Sequence, residues 1–127
     1  MTSHVSHRVM DFISSHPAQE TADLLESFLS GKGMKIFARI DQAAEAAAVG
    51  LELRPTILLL FGNPKAGTPL MVQYPGLALD LPLKALVWEE AGQVHVTFTG
   101  PEELKERYNL PFAPFEAVPG LLKSALG

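Results

Sequence analysis

Seven consecutive residues, Gly62-Asn63-Pro64-Lys65-Ala66-Gly67-Thr68, hold the most suggestive chemistry in this chain. Gly62 lets the backbone turn or approach another group closely. Asn63 suits the cap of a helix and Pro64 its first turn, where no amide hydrogen is needed. Lys65 sets a positive charge beside the free amides of that turn, and Thr68 adds a hydroxyl. A helix start so equipped can hold a carboxylate or a phosphate. The same residues also make an ordinary helix start with a solvated lysine. The phosphate-loop pattern, a longer loop ending in Gly-Lys-Ser/Thr, is not matched.

Arg39, Asp41 and Arg54 form a second set. Arginine suits bidentate recognition of carboxylates, so Arg39 or Arg54 joining Lys65 at one cleft mouth would extend an anion site. Ion pairs with Asp41 or Glu52 are the plainer use of the same residues. The histidines show no ligand spacing. His4 and His7 lie near the start, His16 precedes Pro17, and His95 sits between two valines, so no metal site is expected, nor a haem held through His16 or His95. Glu89 and Glu90 are neighbours on an extended segment and should diverge. No serine lies in a Gly-x-Ser-x-Gly elbow. Trp88, Phe98, Phe61 and Phe37 suit a core or a subunit contact better than a stacking platform.

These residues need elements to position them. Residues 5–13 read as a first strand whose imperfect alternation fits a sheet edge. Ser14-Ser15-His16-Pro17 opens a helix with Ala18, Ala22, Leu25, Phe28 and Leu29 on one stripe, ended by Gly31 and Gly33. Residues 34–40 form a second strand, with Met34, Ile36, Ala38 and Ile40 alternating against Lys35, Phe37 and Arg39. Asp41 caps an alanine-rich helix broken at Gly50. Thr56-Ile-Leu-Leu-Leu-Phe61 is a continuous apolar run, the pattern of a central strand covered on both faces. Residues 64–74 are helical despite Gly67 and Pro69. Residues 83–89 and 94–99 form a hairpin around Glu90-Ala91-Gly92-Gln93. A short helix runs from Pro101 to Tyr108. An extended Pro-rich stretch then leads to a helical turn over residues 121–126, and Leu110-Pro-Phe-Ala-Pro-Phe115 wraps the domain or packs on a second chain. The result is an α/β (α+β) two-layer sandwich, one sheet of about five strands against helices, with a hairpin and a Pro-rich tail.

Composition narrows the field. The chain has 127 residues, 10 Lys+Arg against 14 Asp+Glu, 47% apolar residues and no cysteine. Its length fits one domain, residues 1–127, with an ordinary core. The acidic balance argues against nucleic acid as a partner. Zero Cys removes disulfides, thiolate metal sites and cysteine nucleophiles. No apolar run suits a membrane span or a secretory signal, so the cytoplasm is expected.

Four blocks carry a resemblance: Phe37-Ala-Arg-Ile-Asp41, Ala46-Ala-Ala-Val-Gly50-Leu-Glu-Leu-Arg54-Pro55-Thr56, Phe61-Gly-Asn-Pro-Lys-Ala-Gly-Thr-Pro-Leu-Met71 and Asp80-Leu-Pro-Leu-Lys-Ala-Leu-Val-Trp-Glu89. In these the chain resembles the bacterial and archaeal family of "domain of unknown function 302" (DUF302), over about residues 5–110, with residues 111–127 as a Pro-rich extension. The resemblance implies a small two-layer α/β domain, often a homodimer, with no established activity. Many relatives carry His where this chain has Gln42, and His near the place of Tyr108. Any imidazole chemistry at those places is lost here.

Two functions fit. One is a homodimeric accessory domain that binds a small molecule or anion without catalysis and without a cofactor, through Asn63, Lys65 and Thr68 with Arg39 and Arg54. The other is a small enzyme or redox accessory using Lys65 or Lys84, since a desolvated lysine can act as a nucleophile.

Overall fold

The computed structural model describes residues 9–127. Residues 5–8 of the expected first strand, with His4 and His7, lie outside that range. The strands are β1 (Met10–Ser14), β2 (Lys35–Asp41), β3 (Thr56–Gly62), β4 (Leu83–Glu90) and β5 (Gln93–Phe98). The helices are α1 (Ala18–Gly31), α2 (Gln42–Ala48), α3 (Pro64–Gln73), α4 (Pro101–Arg107) and α5 (Val118–Ala125), with a 3-10 helix over Pro75–Asp80. The strands lie in the order β1-β5-β4-β3-β2, and every neighbouring pair is antiparallel. This is an α+β fold, and β1 takes the edge its imperfect alternation pointed to.

One face of the sheet carries the core. Ile57, Leu59 and Phe61 of β3, Ala85 and Val87 of β4, and Val96 of β5 are buried there. Helix α1 supplies Ala22, Leu25 and Leu29 at helical spacing, and α5 supplies Leu122. The start of α1 is tied down by a buried hydroxyl pair. Ser14 Oγ lies 2.7 Å from Thr21 Oγ1, Thr21 donates to the His16 carbonyl, and the His16 amide donates to Ser14 Oγ. Its end is released by Gly33 at φ +84°. The β4–β5 turn is two residues long, with Ala91 and Gly92 both at positive φ, which matches the twist of paired strands.

Two expectations change. The apolar run of β3 is covered on one face: Ile57, Leu59 and Phe61 are buried, whereas Leu58 and Leu60 on the other face are half-buried. The strand lies beside β4, the middle strand, with β2 outside it. The second change lies at the end of the Pro-rich stretch, whose helix begins at Val118 and not at residue 121. Leu110 is buried, Phe115 packs against the core, and α5 packs on α1. The segment therefore wraps its own domain.

A third difference lies in β2. Its register against β3 shifts between Ile36 and Ala38, so Phe37 is an extra, bulged residue. A side-chain period of two makes any one-residue insertion swap the faces that follow. Ile36 pairs with Phe61 and Arg39 with Leu59, both on the core face. Regular alternation would have put Arg39 on the same face as Phe37. The bulge turns Arg39 toward α1 instead.

Candidate functional site

The junction after β3 is built much as its residues suggest. Asn63 is extended and its Oδ1 accepts the Lys65 amide at 3.0 Å, capping α3. Pro64 opens the helix, and Gly67 is its one buried residue. A Cβ on Gly67 would lie 3.7 Å from Leu81 Cδ1 and 3.9 Å from Cε of Met71 on the same helix, so α3 runs close along the Leu81 side chain.

This junction forms one wall of a cavity of about 440 Å³. Gly67, Thr68 and Met71 of α3 face Leu81, Pro82 and Leu83. Phe115, Ala117 and Val118 close another side, and Met34 and Phe37 stand at the β2 edge. The bulge matters here, because Phe37 is the inserted residue and a Cβ on Gly62 would lie 3.7 Å from its ring. Phe37 is 43% exposed, and the Lys35 ammonium lies 5.0 Å from its ring centroid. The cavity is lined almost wholly by carbon. Its polar side chains are Asn63 and Thr68, and no charged side chain lines it.

The expected site residues thus divide. Asn63 and Thr68 meet at the cavity. Lys65 is exposed on α3 and outside the lining. Arg39 lies against α1, with Asp23 Oδ1 at 2.6 Å, Glu26 Oε1 at 3.4 Å and Gln19 Oε1 at 2.9 Å. Burial would lower the Arg39 pKa, but its bonds to Asp23 and Glu26 outweigh that and raise it. Arg54 pairs with Glu90 at 3.2 Å, before the start of β3. The length of β3, about 20 Å at strand rise, separates it from Gly62. The two arginines and Lys65 do not converge. Asp41 caps α2 through the Ala44 amide at 2.9 Å and accepts from Gln19, and these bonds hold its carboxyl below the ordinary value.

Sequence reading missed the rest of the lining. Met34, Met71, Leu81, Phe115 and Val118 come from separate stretches and show no motif, and only the fold gathers them.

A polar cluster sits on the opposite sheet face. His95 Nδ1 lies 2.8 Å from Asp11 Oδ2, and Thr97 donates to Asp11 Oδ1 at 2.5 Å. The Trp88 indole donates to Thr97 at 2.8 Å. The Asp11 carboxylate can only accept, so His95 Nδ1 is the donor of that pair. Among the described residues no group of three His, Asp or Glu could hold a metal ion.

The family model described as "Domain of unknown function DUF302" matches residues 10–125. The chain belongs to the DUF302 family. The match takes in most of the Pro-rich segment, in keeping with α5 packing on α1. A crystal structure of an uncharacterized conserved DUF302 protein from Bacillus stearothermophilus has the same fold, with a TM-score of 0.80 and 21% identity over 95% of this chain and 97% of that one. Among curated proteins, the chain is similar to Fluoride-specific ion channel FluC 1 of Brucella suis, at 35% identity over 96% of this chain and 48% of that protein. The Brucella abortus protein of the same name is also 35% identical, over 46% of its length. This DUF302 chain therefore spans about half the length of the curated relatives it matches. None of its helices, among the described residues, is long and apolar enough to cross a membrane. Gln42 opens α2, and the Tyr108 hydroxyl donates to Asp80, which Arg107 also holds at 2.9 Å.

Proposed function

We propose that this DUF302 chain is a homodimeric accessory domain that binds a small molecule without catalysing a reaction on it. The observation that carries the reading is the cavity beside α3. Its volume falls in the usual range for ligand pockets, and it combines apolar walls with two polar side chains, Asn63 and Thr68. A lysine nucleophile is made by desolvation, and both Lys65 and Lys84 are exposed. That favours binding over the lysine chemistry that is the alternative.

Dimerisation rests on the face of the sheet away from the helices. A strand as uniformly apolar as β3 reads as one covered twice, yet Leu58 and Leu60, with Leu86 of β4, stay half-buried. Exposed Ile13 on β1 extends that face. Light scattering tests this: a dimer is expected at micromolar concentration, and Leu60→Lys should shift it to monomer. A wild-type monomer would contradict the proposal.

The accessory role is supported by the Brucella relatives, whose names assign them to fluoride channels and in which the similar stretch is under half of the protein. A stretch without a spanning helix would serve such a protein from the aqueous side, and a cysteine-free chain suits the cytoplasm. Deleting the matched stretch from the Brucella suis protein should alter fluoride efflux or channel abundance. Unchanged efflux and abundance would count against the role.

A further inference from the structure

Building on the small-molecule reading above, we infer that the ligand of the cavity beside α3 is uncharged and mostly apolar, an alkyl chain or aromatic ring system with one hydrogen-bonding end, rather than an anion.

The cavity wall argues first. An anion taken from water needs donors or a counter-charge in the site, because an unpaired buried charge is costly. The lining holds no lysine, arginine or histidine. None of the cations near the cavity in sequence lines it: Arg39 pairs with Asp23 and Glu26, Arg54 with Glu90, Lys35 lies 5.0 Å from the Phe37 ring centroid, and Lys84, next to the lining residue Leu83, is exposed. Lys65 stands on the exposed side of α3.

The wall chemistry argues second. Met34 and Met71 present flexible, polarisable thioethers that adapt to varied apolar shapes. Phe37 and Phe115 add two ring faces. Phe37 reaches this place through a strand bulge, the device by which a sheet re-aims one side chain next to a site.

Polar capacity argues third. Asn63 spends its carbonyl on the α3 cap, which leaves its amide group as donor. The Thr68 hydroxyl can donate and accept. Together they suit one hydroxyl, carbonyl or amide at the α3 end. At roughly 30 Å³ per water-sized group, the 440 Å³ cavity takes on the order of 15 such groups.

The test titrates the full chain with N-phenylnaphthylamine, an uncharged fluorophore, with decanol as competitor and inorganic phosphate as the anion arm. A saturable fluorescence rise is expected, reversed by decanol and not by millimolar phosphate. Ala66→Phe and Thr68→Phe both add bulk from exposed positions on the cavity wall, so the core is untouched, and each should weaken the fluorophore by about tenfold or more. Lys65→Ala should change it by less than about twofold. Fluorophore binding that both filled variants leave unchanged overturns the inference. Phosphate stabilising the protein against heat while fluorophore and decanol do not bind also overturns it, yet leaves the small-molecule reading standing. If none of the three binds, both fall.

Discussion

The indole of Trp88 lies against the imidazole of His95, with ring centroids 4.5 Å apart and planes within 19° of parallel. Trp88 and His95 are cross-strand partners on β4 and β5, and both are buried although they sit on the face away from the helices. Their polar atoms close a circuit through Thr97 and Asp11 that ties the edge strand β1 to the middle of the sheet.

Removing one member of this circuit should therefore destabilise the fold. Asp11→Ala leaves a buried imidazole N–H without its acceptor, which costs about 1–3 kcal/mol. Urea unfolding followed by the emission of Trp88, the single tryptophan, measures it. A loss well below this range would mean that water replaces the carboxylate.

The two faces of β3 should respond differently to truncation. Leu59→Ala removes a fully buried side chain from the core and should cost about 2–5 kcal/mol. Leu60→Ala, one residue on and half-buried, should cost less in the isolated chain and weaken self-association instead. Thermal unfolding at several protein concentrations separates the two effects, and equal, concentration-independent losses would contradict the dimer face.

Asn63 should show its capping role apart from any ligand. Asn63→Ala removes the acceptor for the Lys65 amide and should cost about 1 kcal/mol, whereas Asn63→Asp keeps an acceptor and should cost little. Chemical denaturation without any added ligand reads both. Equal losses in the two variants would assign Asn63 to something other than the cap.

Acid should weaken the link between α4 and the 3-10 helix. Burial alone would raise the Asp80 carboxyl, but hydrogen bonds from Tyr108 and Arg107 outweigh it and hold the group below the ordinary aspartate value. A depressed folded value means the stabilisation is complete above about pH 4 and is lost as pH falls through the folded value. Asp80→Asn should flatten the fall in stability below about pH 4 relative to wild type. Parallel curves would exclude Asp80 as a source of acid sensitivity.

Arg39 should prove a modest stabiliser despite its three partners. Asp23 is 68% exposed in the pair, and solvent-exposed ion pairs contribute about 0–1 kcal/mol. Arg39→Ala should lower stability by no more than that in denaturant titrations at moderate salt, and a larger loss would point to a packing role for its side chain.

Local chemistry made much of this protein legible. The stripe Ala18, Ala22, Leu25 and Leu29 marks α1, Asp41 and Asn63 mark two caps, and Ala91-Gly92 marks the hairpin turn. Each depends on residues within one or two turns of each other. Asn63 and Thr68, which line the cavity beside α3, stood out in the same local way.

The sequence by itself determined most of the elements, two helix caps and the family, because helix and strand periods, capping atoms and turn residues act over a few positions. Tertiary structure alone decided three things. The bulge at Phe37 sent Arg39 to α1, because one extra residue reverses every later face. The fold left Leu58 and Leu60 of β3 half-buried, because covering a strand takes elements far away in sequence. And the cavity came out apolar, because its walls come from β2, α3, the start of β4 and the Pro-rich segment, which meet only when the chain has folded.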